Sequence, residues 1–332
     1  MDPFTQASLG AAAAALASNN STIRRALIIG AVAGAAPDLD VLIRSETDPL
    51  LSLQYHRHFT HALLFVPAIG FLVAGLFKLL AFKWKWPFKQ LFLFASLGAL
   101  SHGLLDACTS YGTLLYLPFS THRESWDLIS IIDPLFTIPL IILLAVAFLL
   151  KRARAAQTAI LICSLYLTFG YIQRERAQIY ALELAESRDL APETVTARPS
   201  FANTIVWRIV VLAEHQYYVD AVWLMPFQEP RLYTGSSVAQ FDSSEYATQD
   251  STLAKDIQRF DHFSQSYLYE VPGLKNILGD LRYALFPDSI QPLWGIRIDP
   301  DRPDAHVEMA YFREPSKDAF KRLWTMICGK PL

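Results

Sequence analysis

The sequence predicts an α-helical polytopic membrane domain of about six hydrophobic helices, followed by a small soluble α+β domain. Three observations lead there. The chain of 332 residues is 52% hydrophobic and only 18% charged, against about a quarter charged in soluble domains. The shortage of charge lies in the first half, where apolar runs approach the roughly 20 residues that a helix needs to cross a hydrocarbon core. From about Gln173 the sequence turns to mixed polar and aromatic residues, so the expected division is 1–173 and 174–332.

Taken in order, Phe4–Ser18 and Ala26–Ile43 are rich in Ala and Gly, which lets helices approach closely in lipid. They read as a tight helical hairpin. Leu9–Ser18 is apolar like a leader segment, but the acidic Met1-Asp2-Pro3 start lacks the positive flank, so it reads as retained. Ala62–Phe82, Ser130–Leu150 and Ala155–Ile172 are predicted spans. Gln90–Asp106 spans if His102 and Asp106 sit at its end. One set of loops carries Arg24, Arg25, Lys83, Lys85, Lys89, Lys151, Arg152 and Arg154; the other carries Arg44, Arg57 and Arg123, with Arg174 and Arg176 after the last span. Positive loops stay in the cytoplasm. Trp84 and Trp86 suit an interfacial belt there, and the C-terminal domain is expected on the outer side of the membrane.

In the second half, Ile172–Ser187 reads as a helix leaving the membrane and Arg198-Pro199 as a boundary. Thr204–Met225 is dense in β-branched and aromatic residues and is interrupted at Ala213-Glu214-His215, the pattern of a strand pair. Leu253–Tyr269 and Phe320–Cys328 read as helices, Leu293–Ile298 and His306–Arg313 as strands.

Several function classes drop out. A net charge of −2 gives no basic face for nucleic acid. Three cysteines without a CxxC pair make neither a zinc knuckle nor a disulfide framework. There is no serine-hydrolase elbow, phosphate-cradling loop or dinucleotide fingerprint. Gly30, Gly34, Gly70 and Gly75 lie in apolar helices, where packing explains them.

Ionisable residues beside membrane spans are costly and call for a reason. Here they form four clusters, all expected at the extracytoplasmic face. In Pro37-Asp38-Leu39-Asp40 the proline disfavours helix before it, and in an extended stretch the two carboxylates point to one side and can share a cation. Tyr55–His61 holds three of the eight histidines, His56, His58 and His61, with Thr60 as the expected cap of the following helix. His102 and Asp106 are four apart and stack on one helix face, where both meet a metal or the carboxylate orients the imidazole. The fourth cluster holds His122, Asp127 and Asp133; Asp133 before Pro134 is standard helix-start chemistry. His215, His262 and His306 have no paired ligands in sequence and read as structural.

The segments MDPFTQASLGAA, RRALIIGAVAGAAPDLD, HRHFTH, SHGLLDACTSYGT and WDLISIIDP, in this order, resemble a bacterial inner-membrane family of metal-dependent hydrolases. PSFANTIVWR and RFDHFSQSYLYEV resemble its longer members, so the likeness covers nearly the whole chain. More loosely, the family resembles zinc-dependent phospholipase C enzymes. The resemblance implies metal ligands at Asp38, Asp40, His56, His61, His102 and Asp106. Family members often begin MDxxTH, and Gln6 stands here at the histidine position, so that either the site is one ligand short or His58 substitutes.

The leading expectation is therefore a metal-dependent hydrolase acting on a membrane lipid or a lipid-linked or phosphoester substrate. Zinc is the first choice of metal and manganese the second. Asp40, Asp38 or Asp106 would be the general base, with Asp40 preferred. The alternatives are a non-catalytic, metal-stabilised membrane scaffold and a metal or proton transporter, since buried ionisable groups mark transport paths as readily as catalysis.

Overall fold

The structure, a computed structural model, describes every residue except 81, 82, 84, 248 and 313–316. The chain divides into two compact units. The first holds Met1–Leu42, Tyr55–Tyr171 and Phe201–Asn203; the second holds Ile43–Gln54, Ile172–Ser200 and Thr204–Leu332.

The first unit opens with α1 (Pro3–Ala15), started by Asp2, whose side chain accepts from the Thr5 amide, and by Pro3 at the first helical position. Helix α2 (Ile23–Ala35) lies directly on it. Their contact is made of glycine: a Cβ on Gly34 would stand 2.8 Å from the Gln6 carbonyl oxygen. Beyond α2 the chain tightens into a 3₁₀ stretch, Ala36–Leu42. After α3 (Leu51–Tyr55), which belongs to the second unit as far as Gln54, two 3₁₀ turns, Phe59–His61 and Leu63–Phe65, lead into α4 (Val66–Leu80). Helix α5 (Phe88–Ala107) returns against α4, α2 and α1. Asp133 caps α6 (Pro134–Leu150) by accepting from the Leu135 and Phe136 amides, as the Asp-Pro order predicts. Helix α7 (Ala153–Ser187) runs on into the second unit.

Among the described residues three helical segments are long and apolar enough to cross a membrane: Leu63–Leu80, Phe88–Ala107 and Ala153–Ser187. This corrects the expected six. Helices α1 and α2 have 13 residues each, about 20 Å of helix, too short for the hydrocarbon core. Helix α6 is an apolar helix of 17 residues rather than the expected Ser130–Leu150, because Asp133 as cap and Pro134 as first residue start it four residues later. Large apolar side chains such as Leu72, Leu79, Leu149 and Leu165 are exposed along these helices, an arrangement that suits lipid and not water. The predicted interfacial Trp84 and the end of the predicted span at Phe82 lie outside the described residues.

The second unit holds two antiparallel sheets of four strands each, both in simple sequential order. The first comprises β1 (Thr194–Pro199), β2 (Val206–Ala213), β3 (Gln216–Trp223) and β4 (Arg231–Ala239). The predicted strand pair is β2–β3, turned by Glu214 and His215, both at positive φ as a two-residue hairpin requires. Arg198-Pro199, expected as a boundary, instead closes the edge strand β1, a place where proline's missing N–H does no harm. Ala177, Ala181 and Ala185, four apart on α7, pack on Trp207, Ile209 and Val211. After α8 (Ser244–Ala247) and α9 (Thr252–Ser264) come β5 (Leu268–Glu270), β6 (Ile277–Asp280), β7 (Trp294–Arg297) and β8 (Glu308–Tyr311), then α10 (Lys317–Ile327). The predicted helix at Leu253–Tyr269 thus ends at Ser264, and Tyr269 is in a strand. Arg313, the predicted end of the last strand, lies outside the described residues.

Candidate metal centre

Two imidazoles in the first unit face each other through their Nε2 atoms. Helix α5 presents His102, fully buried, with Nδ1 2.5 Å from the Gly34 carbonyl oxygen. A peptide oxygen only accepts, so Nδ1 carries the ring proton and Nε2 of the neutral ring is a bare lone pair. The turn Phe59–His61 brings in His61, also buried, with Nδ1 3.0 Å from Thr60 Oγ1 and 3.3 Å from Asp40 Oδ2. The Thr60 hydroxyl proton goes to Asp40 Oδ2 at 3.0 Å, which leaves its oxygen free to accept from the ring. His61 is therefore held in the same tautomer, and the two Nε2 atoms lie 2.8 Å apart.

Two carboxylates complete the cluster. Asp106 Oδ2 lies 3.2 Å from His61 Nε2 and 3.5 Å from His102 Nε2, while Asp38 Oδ1 lies 3.6 and 3.4 Å from the same atoms. The edges of a tetrahedron around an ion with bonds of about 2.0–2.2 Å are about 3.3–3.6 Å. The four His–carboxylate distances come close to that figure, while the two Nε2 atoms at 2.8 Å stand closer than it; each of Asp38, His61, His102 and Asp106 offers one donor atom within 4.8 Å of all the others. The nitrogen and carboxylate donors suit zinc or manganese.

Buried contacts hold Asp106 in place. Its Oδ1 accepts from Gln6 Nε2 at 2.8 Å and also contacts the Met1 amino group. Oδ2 makes no hydrogen bond, although Arg57 Nε stands 3.2 Å away without the alignment of one. That leaves a buried acceptor aimed into the cluster, a costly arrangement unless a cation meets it. Asp38 is the partly open member, with 20% of its side chain exposed. Burial alone would raise its carboxyl; hydrogen bonds and charge from His102 and His61 outweigh this and hold it below the ordinary range.

Asp38 and Asp40 do not point to one side, as an extended stretch would have it. The segment is a 3₁₀ helix, where residues two apart are about 240° apart around the axis. Asp38 turns toward the two Nε2 atoms, and Asp40 sits behind the imidazoles. Its Oδ1 lies 2.9 Å from His56 Nδ1 and its Oδ2 accepts from the Arg57 amide at 3.0 Å as well as from Thr60. Asp38, Asp40 and His56 also form a second group of metal-capable donors. Thr60, expected as a helix cap, lies inside its turn and binds Asp40 instead. His58 precedes that turn and, like His122 and Asp127, joins no metal-capable group among the described residues.

From the sequence Arg57 reads only as a loop charge. It is 3% exposed, donates to Thr109 Oγ1 at 2.8 Å, and lies over the Tyr111 ring. Its positive φ of 58° is a conformation that non-glycine residues seldom adopt. In the second unit His306 does have a partner, Asp256 Oδ2 at 2.8 Å, and Asp48 completes a third donor group. There Arg259 already bonds both carboxylates, with Nη1 3.1 Å from Asp48 Oδ1 and 3.0 Å from Asp256 Oδ1. That group is a satisfied ion-pair network.

Comparison with known proteins agrees with the membrane character of the first unit. Residues 1–177 match the family model described as "YdjM inner membrane protein". A relative from Bacillus subtilis (strain 168), "Uncharacterized protein YfhP", is 26% identical over 300 residues, covering 85% of this chain and 87% of its own length. No solved structure matches the chain.

Proposed function

This chain belongs to the YdjM inner membrane protein family, and on that premise we propose that it is a membrane-bound, metal-dependent hydrolase acting on a lipid-linked or phosphoester substrate at the extracytoplasmic face. The observation that carries the reading is the pair of bare Nε2 atoms 2.8 Å apart. Two lone pairs this close repel unless they share a proton or a cation beside them binds both, and the carboxylates of Asp38 and Asp106 converge on the same point, as a divalent ion would need.

His61, His102, Asp106 and Asp38 would hold the ion, zinc first and manganese second. A bound ion of this kind brings the pKa of water toward about 7 and polarises a phosphoryl or acyl oxygen. The chain's own groups do the rest. Gly34 and Asp40 fix the tautomers of His102 and His61, and Gln6 and Arg57 keep Asp106 from turning. Asp38, ionised and partly open, would hold the ion through Oδ1 and accept at its other oxygen, Oδ2, the proton of the water that attacks the ester. In this reading α6 crosses as well, its 17 residues lying at the short end of the spanning range, and the positive loops then support a multi-pass arrangement with the C-terminal domain outside the cytoplasm.

One observation favours a second reading. Four protein ligands close a tetrahedral site, as in structural zinc centres, whereas a catalytic ion keeps a position open. The experiment is a paired measurement on protein purified in lipid nanodiscs. Bound metal is determined by mass spectrometry, and turnover is followed on phosphomonoester, phosphodiester and acyl-ester lipids. The hydrolase reading requires about one divalent ion per chain, lost in His102→Ala together with activity. Metal without turnover on any of the panel supports the structural centre. A metal-free wild-type protein overturns both, leaving a shared proton between the imidazoles.

A further inference from the structure

An apolar groove begins beside the candidate metal centre and runs along α4. Its volume is about 360 Å³ and its lining is almost wholly apolar, with Leu39, Phe59, Phe65, Ile69, Leu72 and Leu76 as the main walls. Its near end is made by Pro37, Leu39 and Thr60. Pro37 and Leu39 flank Asp38, the partly open donor, and Thr60 precedes His61. The far end lies on a candidate membrane-spanning segment, where Leu72 is 69% exposed and Leu76 47% exposed. From Phe65 to Leu76 the helix rises about 16 Å.

We propose that this groove seats one straight hydrocarbon tail of a membrane lipid whose headgroup ester lies at the metal centre. The inference rests on the hydrolase reading and names the class of its substrate: a long-chain amphiphile, taken from the bilayer rather than from water. The medium around a spanning helix is itself hydrocarbon, which identifies the chemistry of the occupant. The volume, near the lower end of the range of about 300–1,000 Å³ for ligand sites, suits one tail and not two. A tail moving from bilayer to groove gains no hydrophobic free energy, because lipid is as apolar as leucine. The groove acts by position. A tail lying along α4 points its ester at the opening beside Asp38, and small errors of placement at a reacting centre cost large factors in rate.

The test uses full-length, zinc-loaded protein in nanodiscs and hexadecyl phosphonate carrying a photoreactive diazirine at its chain end. Cross-linked residues are mapped by peptide mass spectrometry. Labelling is expected on the groove segment of α4, competed by unlabelled hexadecyl phosphonate and not by butyl phosphonate. Ala68→Trp, at an exposed position on the groove wall, should lower that labelling about tenfold, since an indole and a tail cannot share one close-packed cavity. Leu79→Trp, exposed on the same helix outside the groove, should leave it unchanged. Labelling that matches a headgroup-free hexadecyl diazirine, or that ignores Ala68→Trp while metal content is normal, overturns the proposal. Stronger competition by farnesyl phosphonate overturns the choice of a straight chain. Competed groove labelling in a protein that holds no metal would leave the groove in place and remove the hydrolase reading alone.

Discussion

Replacing Asp40 by Asn tests whether this carboxylate supports the centre or reacts in it. Asp40 is 3% exposed, and its two oxygens meet His56 Nδ1 at 2.9 Å, the Arg57 amide at 3.0 Å, Thr60 Oγ1 at 3.0 Å and His61 Nδ1 at 3.3 Å. Asn keeps the volume and one acceptor oxygen, which can still serve Arg57 and Thr60, while His56 changes tautomer to accept from the new amide. What is lost is the negative charge behind the His61 imidazole. Losing a carboxylate that orients a metal-bound histidine costs about 10–100-fold in metal affinity, or about 1.4–2.7 kcal/mol. Zinc affinity measured by chelator competition should fall by that factor, with turnover at saturating zinc within a few-fold of wild type. Unchanged zinc affinity with turnover lowered by about 10²–10⁴-fold would refute the reasoning and make Asp40 the general base. Acid adds a second readout. Burial raises the Asp40 carboxyl, but His56, His61 and the Arg57 amide outweigh it and hold it below its ordinary value of 3.8. A depressed carboxyl contributes stability above that value and loses it as pH falls through the folded one. The melting-temperature gap between wild type and Asp40→Asn should therefore narrow below about pH 4.

Three further outcomes follow from particular contacts. A methyl group on Gly103 collides with the His61 carbonyl oxygen, so Gly103→Ala should cost about 1–3 kcal/mol and lower bound metal; a normal metal content with wild-type melting would mean the turn adapts freely. In the β2–β3 hairpin, Glu214 and His215 sit at φ of 53° and 60°, and the double replacement Glu214→Asn with His215→Gly should raise stability by about 1 kcal/mol, read from denaturant or thermal unfolding. A reporter fused after Leu332 should be active outside the cytoplasm and one placed between Lys85 and Lys89 inside it; the reverse pattern would put the metal centre on the cytoplasmic face.

Much of the candidate centre was legible because two of its parts are local patterns. His102 and Asp106 are four apart on a helix, and both side chains do turn to one place. The β2–β3 pair was legible for the same reason, an alternating β-branched run broken by a turn. The span count was not, because apolar composition does not give helix length: the Ala- and Gly-rich α1 and α2 end after 13 residues each. Nor could spacing alone assign Asp38 and Asp40. The assignment depends on the backbone around the axis, and a 3₁₀ turn reverses the answer that an extended strand gives. The short strands β5 to β8, three or four residues each, offer too few alternations for a period to register.

The glycines show why packing and chemistry could not be separated from sequence. Gly34 reads as a packing residue in an apolar helix, and it is one, pressed against Gln6 and Gly10. The same closeness sets α2 against α5, so that the Gly34 carbonyl oxygen takes the Nδ1 proton of His102 and leaves Nε2 bare. Gly98, on α5, makes that approach in turn, since a Cβ there would stand 2.5 Å from the Gly30 carbonyl oxygen. Gly103 does the same for His61, whose carbonyl oxygen occupies the space a side chain would need. A larger residue at any of these positions would move an imidazole before it touched a ligand atom. The donor set is therefore fixed by helix–helix distance as much as by the identity of His61, His102, Asp38 and Asp106, and substitutions at glycines that touch no ligand atom should be read first in metal affinity.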